Sequence, residues 1–161
     1  MRLFVAIYPP DDVRGDLRQR LDSAAHRVRL TAVEKWHVTL AFLGEVSEEC
    51  RPGLEDALGG VSVPRGRELR LRGGGGFNGR VTWAGVDGEL GDLSADVRAA
   101  ARSVGLSPDD RPYTPHLTVA YAHDDALRQT LESYAGSPWT LDEFALVRVE
   151  PDGAYTTLRA W

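Results

Sequence analysis

Trp36-His37-Val38-Thr39-Leu40 and Pro115-His116-Leu117-Thr118-Val119 decide how this chain folds. Each is a histidine, an apolar residue, a threonine and another apolar residue, in β-branched and apolar company that reads as a strand. Residues two apart on a strand share a face, so His37 points with Thr39 and His116 with Thr118. Val38 and Leu40, like Leu117 and Val119, then point the other way, into a core. Two apolar strands carrying the same polar pair imply one pocket holding two imidazoles and two hydroxyls.

The motifs lie 79 positions apart, close to half of the 161 residues. The same shift pairs Phe4 with Trp83, Ile7 with Val86, Leu21 with Ala100 and Phe42 with Tyr121. Both halves read strand, helix, His-x-Thr strand, helix, strand. In the first, Arg2 to Ile7 is a strand. Pro9-Pro10-Asp11 opens a helix bearing Val13, Leu17, Leu21 and Ala24, and His26 at its end reads as solvated. Ser47-Glu48-Glu49 caps a short helix stopped at Gly59-Gly60, and Glu68 to Arg72 alternates as a strand. Gly73 to Gly79 reads as a flexible connection, since it has neither the Lys-Ser/Thr of a P-loop nor Rossmann glycine spacing. Arg80 to Val86 is a strand, and Leu90, Leu93, Val97, Ala100 and Val104 mark a helix stopped by Gly105. Asp124 to Tyr134 is a helix, Leu141 to Val149 a strand, and Tyr155 to Trp161 the last strand. The expected architecture is one domain of two pseudo-symmetric lobes, roughly 1–72 and 80–161, joined by 73–79. The motifs meet in a cleft between them, a favoured place for a small-molecule site.

Length and composition fit a globular chain with a real core. No apolar run reaches membrane-spanning length, and the start lacks the regions of a secretory signal. The single Cys50 excludes an internal disulfide and zinc-finger spacing. A cytoplasmic location is the resulting expectation. The net charge of −5 argues against a general basic surface for long duplexes. A local basic rim remains available from Arg65, Arg67, Arg70, Arg72 and Arg80.

Two histidines and two threonines suit one reaction class. One imidazole takes a proton from water, the other gives one to a leaving oxygen, and the hydroxyls hold the non-bridging oxygens of a phosphate. A strained cyclic phosphodiester is opened that way with no metal. Zinc binding is the rival, but a catalytic zinc wants a third protein ligand, and only His123 and Asp124 lie near either motif. No cofactor is expected.

The paired motifs resemble the two-histidine (2H) phosphoesterase superfamily. Within it the match is closer to the bacterial and archaeal RNA 2′,3′-cyclic phosphodiesterases, also known as 2′-5′ RNA ligases. The likeness is carried by Arg2-Leu3-Phe4-Val5-Ala6-Ile7, His37 to Gly44, Arg80 to Val86, and Arg111 to Thr118. It implies an α+β fold, antiparallel sheets with helices outside, and a metal-independent, monomeric enzyme. The implied partners are RNA ends or nucleotides bearing a 2′,3′-cyclic phosphate, opened to a 2′-phosphate, with 2′-5′ joining as the reverse. By this resemblance His37 is the general acid, His116 the general base, and Thr39 and Thr118 hold the phosphate. It also implies that Phe42 stacks on the terminal base. Strand parity instead groups Phe42 with Val38 and Leu40 in the core, unless a bulge turns it. Where the family often carries an arginine, this chain has Tyr121, which parity likewise groups with Leu117 and Val119. A hydroxyl donor to the phosphate and a core side chain are both open readings of Tyr121. A sister activity on another cyclic nucleotide or a nucleotide-sugar cyclic phosphate, and a non-catalytic RNA-end or nucleotide-binding module, are the competing functions.

Overall fold

Runs of alternating or continuous apolar residues set the strands, and apolar stripes at helical spacing set the helices. The computed structural model describes Met1 to Trp161. In order, the elements are β1 (Arg2–Ile7), α1 (Asp11–Asp22), β2 (Val38–Glu45), α2 (Arg51–Gly59), β3 (Glu68–Phe77) and β4 (Val81–Asp87). There follow α3 (Gly91–Ser103), β5 (His116–Ala120), α4 (Asp125–Glu132), β6 (Trp139–Thr140), β7 (Ala145–Val149) and β8 (Tyr155–Ala160). The chain has the expected α+β class. In α1, Asp11 and Asp12 sit in the first turn and Val13, Leu17 and Leu21 are buried. In α4, Asp124 accepts the Leu127 N–H at 2.9 Å as N-cap. Ser47 makes no such cap; a 3₁₀ turn at Glu48–Cys50 leads into α2 instead. The strand expected over Leu141–Val149 is shorter: β7 begins at Ala145, and residues 141–144 connect it to the short β6.

The strands form two antiparallel sheets, ordered β2-β1-β7-β8 and β5-β4-β3-β6. The division does not follow the halves of the sequence. β3 belongs to the first half yet pairs with β4, while β7 belongs to the second and pairs with β1. Helices are interleaved in the same way: α1 packs on α4, α2 on α3, and α3 on β2. The main core, a cluster of 31 buried apolar residues, draws on both sheets, and a smaller one of Phe4, Ala6, Ala145 and Val147 lies on the first sheet alone.

The glycine run is not a flexible connection. Residues 73–77 continue β3 across a bulge between Leu71 and Gly74. Bareness, not mobility, is what these positions need. A Cβ on Gly75 would lie 2.3 Å from the Trp83 ring, and one on Gly74 would lie 2.5 Å from Leu131 Cβ. The actual turn is Asn78-Gly79, with φ of 53° and 66° and the Arg80 N–H donating to the Phe77 carbonyl at 2.9 Å. Both signs of φ are those of the tight hairpin turn that Asn-Gly favours.

Candidate active site

His37 immediately precedes β2 and His116 opens β5, and the two strands lie against each other between the sheets. Each imidazole is fixed in the same manner. His37 Nδ1–H donates to the Lys35 carbonyl at 2.6 Å, and His116 Nδ1–H to the Thr114 carbonyl at 2.7 Å. A carbonyl can only accept, so both rings hold their proton on Nδ1 and present Nε2 as the reactive atom. His37 Nε2 also meets Thr39 Oγ1 at 3.0 Å.

Aromatic rings back each histidine. Phe4 stacks on His37 at 4.7 Å between centroids, and Tyr155 meets its edge at 5.6 Å. For His116 the counterparts are Trp83 at 5.6 Å and Phe77, edge-on, at 5.1 Å. Phe4 and Trp83 are the pair related by 79 positions. Burial pushes His37 below its ordinary value of 6.5, opposed by the Lys35 carbonyl and aided by nearby His116. Burial also lowers His116, opposed by the Thr114 carbonyl. In both rings burial favours the neutral form.

A cleft of about 770 Å³ contains His37, Thr39, His116, Thr118, Tyr121 and Tyr155, and the segment Val28–Ala32 forms one wall. The sequence motifs thus converge on one space. His123 bonds Asp125 at 2.8 Å and Asp124 caps α4, so neither joins the histidines. No three His, Cys, Asp or Glu side chains are grouped as a metal site. His26 donates Nδ1–H to the Val28 carbonyl at 3.0 Å and stays out of the cleft.

Strand parity fails at Phe42 and Tyr121, and the reason is a bulge in each strand. On β2, Thr39 pairs with Ala6 but Ala41 with Val5, leaving Leu40 extra. On β5, Thr118 pairs with Trp83 but Ala120 with Thr82, leaving Val119 extra. The extra residues are themselves 79 positions apart. Past each bulge the alternation reverses. Leu40 and Ala41 are both buried, as are Val119 and Ala120, and the next side chain turns out. Phe42 is 43% exposed and shares a sheet face with Phe4, the ring behind His37. Tyr121 is 69% exposed and lines the cleft. Neither is a core residue. Phe42 stands outside the cleft proper, with the Arg2 guanidinium over its ring at 5.4 Å.

The arginines anticipated for a basic rim do not line the cleft. Arg67 is held by Asp92 through bonds of 2.7 and 2.9 Å, and Arg72 lies 3.6 Å from Asp87. The cations that do line it are Lys35 and Arg29. Lys35 Nζ is taken by the Gly153 carbonyl at 2.7 Å. Arg29 is exposed and free of any ion pair, on a segment that carries no sequence motif. Its only signal was the alternation Arg27-Val28-Arg29-Leu30 beside the first histidine strand.

Known proteins match this arrangement. An RNA 2′,3′-cyclic phosphodiesterase of Escherichia coli is 31% identical over 172 residues, covering 99% of this chain and 95% of that one. One of Aeropyrum pernix is 35% identical over 116 residues, 66% of this chain, and the chain spans only 65% of that relative. The crystal structure of E. coli LigT complexed with 3′-AMP superposes with a TM-score of 0.80 at 28% identity, covering 99% of this chain and 96% of that one. The sequence model of the 2′-5′ RNA ligase superfamily matches residues 9–153, which take in both histidine strands and the whole second sheet, and the chain belongs to that superfamily.

Proposed function

We propose that this chain hydrolyses a 2′,3′-cyclic phosphate at an RNA end to a 2′-phosphate, using His116 as base and His37 as acid and no metal. The observation that carries the reading is the pair of imidazoles, each pinned through Nδ1 and lining one cleft beside two threonine hydroxyls, with His116 Nε2 free and His37 Nε2 on Thr39 Oγ1. The relatives named RNA 2′,3′-cyclic phosphodiesterase support the substrate class. In the forward step His116 Nε2 takes a proton from water, and the water oxygen attacks phosphorus. The bond from phosphorus to O3′ breaks, and His37 Nε2–H supplies the proton that O3′ needs. A neutral His37 must first gain that proton, and the bound phosphate anion favours the charged ring. Thr39 and Thr118 donate to the non-bridging oxygens, and Arg29 supplies the charge that Tyr121 lacks. Phe42, turned out by its bulge, stacks on a base. A 5′-hydroxyl in place of water gives a 2′-5′ linkage by the same route. All of these groups come from one chain, which supports action as a monomer.

The test is a substrate panel assayed with and without chelator. An RNA oligonucleotide ending in a 2′,3′-cyclic phosphate should turn over at a rate chelator leaves unchanged. Preference for a 3′,5′-cyclic nucleotide or a nucleotide-sugar cyclic phosphate would move the reading to a sister activity. Tight binding of the RNA end without turnover would make the chain a binding module.

A further inference from the structure

A bulge leaves backbone carbonyls outside the strand ladder, and buried carbonyls need donors. The donors found here all cross between the halves of the chain. On the first motif, the Tyr113 hydroxyl donates to the Thr39 carbonyl at 2.8 Å, and the buried Ser94 hydroxyl, from α3, to the Leu40 carbonyl at 2.7 Å. Both donors belong to the second half. On the second motif, the Thr31 N–H donates to the Val119 carbonyl at 2.8 Å. The Thr31 hydroxyl lies 3.2 Å from that carbonyl and 3.4 Å from that of Thr118. Thr31 belongs to the first half, and its Oγ1 accepts the Trp36 indole N–H at 2.6 Å, one residue before His37.

Each histidine strand is thus held at its bulge by hydroxyls of the opposite half. We infer that Tyr113, Ser94 and Thr31 are positioning residues that set the separation and facing of His37 and His116. This rests on the proposed two-histidine reaction. None of the three needs to touch substrate: the Thr31 hydroxyl already serves the Val119 carbonyl and the Trp36 indole. Loss of the Tyr113 or Ser94 hydroxyl takes the donor from a carbonyl at the first bulge, and loss of the Thr31 hydroxyl leaves the Trp36 indole N–H unpaired beside His37. In each case the strand shifts and the two Nε2 atoms lose their relative placement.

Steady-state kinetics on a 2′,3′-cyclic nucleotide, with melting temperatures, tests this on Tyr113→Phe, Ser94→Ala and Thr31→Val. Each should lower kcat by about 3- to 10-fold, the effect of one neutral hydrogen bond, with KM changed by less than about twofold. Thr31→Ser, which keeps the hydroxyl, should return kcat to near the wild-type value. Lowered melting temperatures with wild-type kcat throughout would make the hydroxyls merely structural and overturn the inference. Should Thr31→Val fail to fold, Tyr113→Phe decides alone, because it keeps the ring and removes only the hydroxyl. A wild type inert on every cyclic phosphate would remove the functional reading and this inference together, whereas turnover unchanged in the variants removes the inference alone.

Discussion

The two histidine strands share a backbone plan and differ in what surrounds it. Both have the Nδ1 bond to a carbonyl two residues back, a ring from the neighbouring strand, and a bulge three residues past the histidine. His37 is the more enclosed, with Phe4, Tyr8 and Tyr155 around it and its Nε2 already on Thr39 Oγ1. His116 rests on the open β3-β4 hairpin, and its Nε2 has no protein partner. A free Nε2 beside open space is ready to take a proton from water. An enclosed ring whose Nε2 faces a phosphate-binding hydroxyl is suited, once protonated, to give that proton to the departing oxygen. Under the proposed reaction, the same plan in unequal surroundings suits the two rings to unequal roles.

The largest effect that would break this comparison comes from removing either ring. His37→Ala and His116→Ala should each reduce turnover by about 10²- to 10⁴-fold, the range for a general acid or base. The double variant should fall far less than the product, because the two act as a unit. Fully multiplicative losses would mean that the two strands work separately.

Next in size is a change confined to the second strand's support. Gly75→Val puts a side chain where the Trp83 ring lies, 2.3 Å from the position of the new Cβ. Trp83 must move, and His116 loses the ring behind it. Activity should fall by roughly tenfold, and overpacking should cost about 1–3 kcal/mol of stability. A stable Gly75→Val protein with normal kinetics would show that His116 does not depend on its aromatic backing.

A smaller effect tests the cleft wall against the strands. Arg29→Ala should raise KM by about 3- to 10-fold, less than a buried charged hydrogen bond would cost because the exposed guanidinium is screened by solvent, and Arg29→Lys should recover part of it. Tyr121→Phe, by contrast, should change KM by less than about threefold, since it removes one neutral hydroxyl from a largely exposed ring. A larger effect at Tyr121 than at Arg29 would reverse which of them meets the phosphate.

The histidine pair, the threonines and the helical stripes were legible because they depend on residue type at a local period. The glycine run was misread for the opposite reason. Glycine usually marks a turn, and only the tertiary approach of Trp83 and Leu131 shows that β3 needs bare positions. Phe42 and Tyr121 were misplaced by parity because each bulge is held by a donor distant in sequence: Ser94 and Tyr113 for one, Thr31 for the other. The exchange of β3 and β7 between sheets leaves no trace in an alternation pattern, which says that a strand is half-buried and not which neighbour it finds. Arg29 sits on an irregular segment where no periodicity singles it out.

The pH dependence separates the strands most gently. A base works above its own pKa and an acid below its own. Burial holds both histidines of the free protein below 6.5. The bell in kcat/KM should therefore centre on the acid side of 6.5, and the bell in kcat, which reports the complex, should lie higher. His116→Ala should remove the acid limb and His37→Ala the alkaline limb. Limbs assigned the other way round would exchange the two roles.

The claim that His37 delivers the proton to O3′ has one direct measurement: hydrolysis of a 2′,3′-cyclic substrate whose bridging O3′ is replaced by sulfur. A thiolate leaves without protonation. His37→Ala should then recover most of the wild-type rate on the sulfur substrate, while His116→Ala, still lacking its base, should remain slow on both. Rescue of His116→Ala instead, or of neither variant, would contradict the assignment.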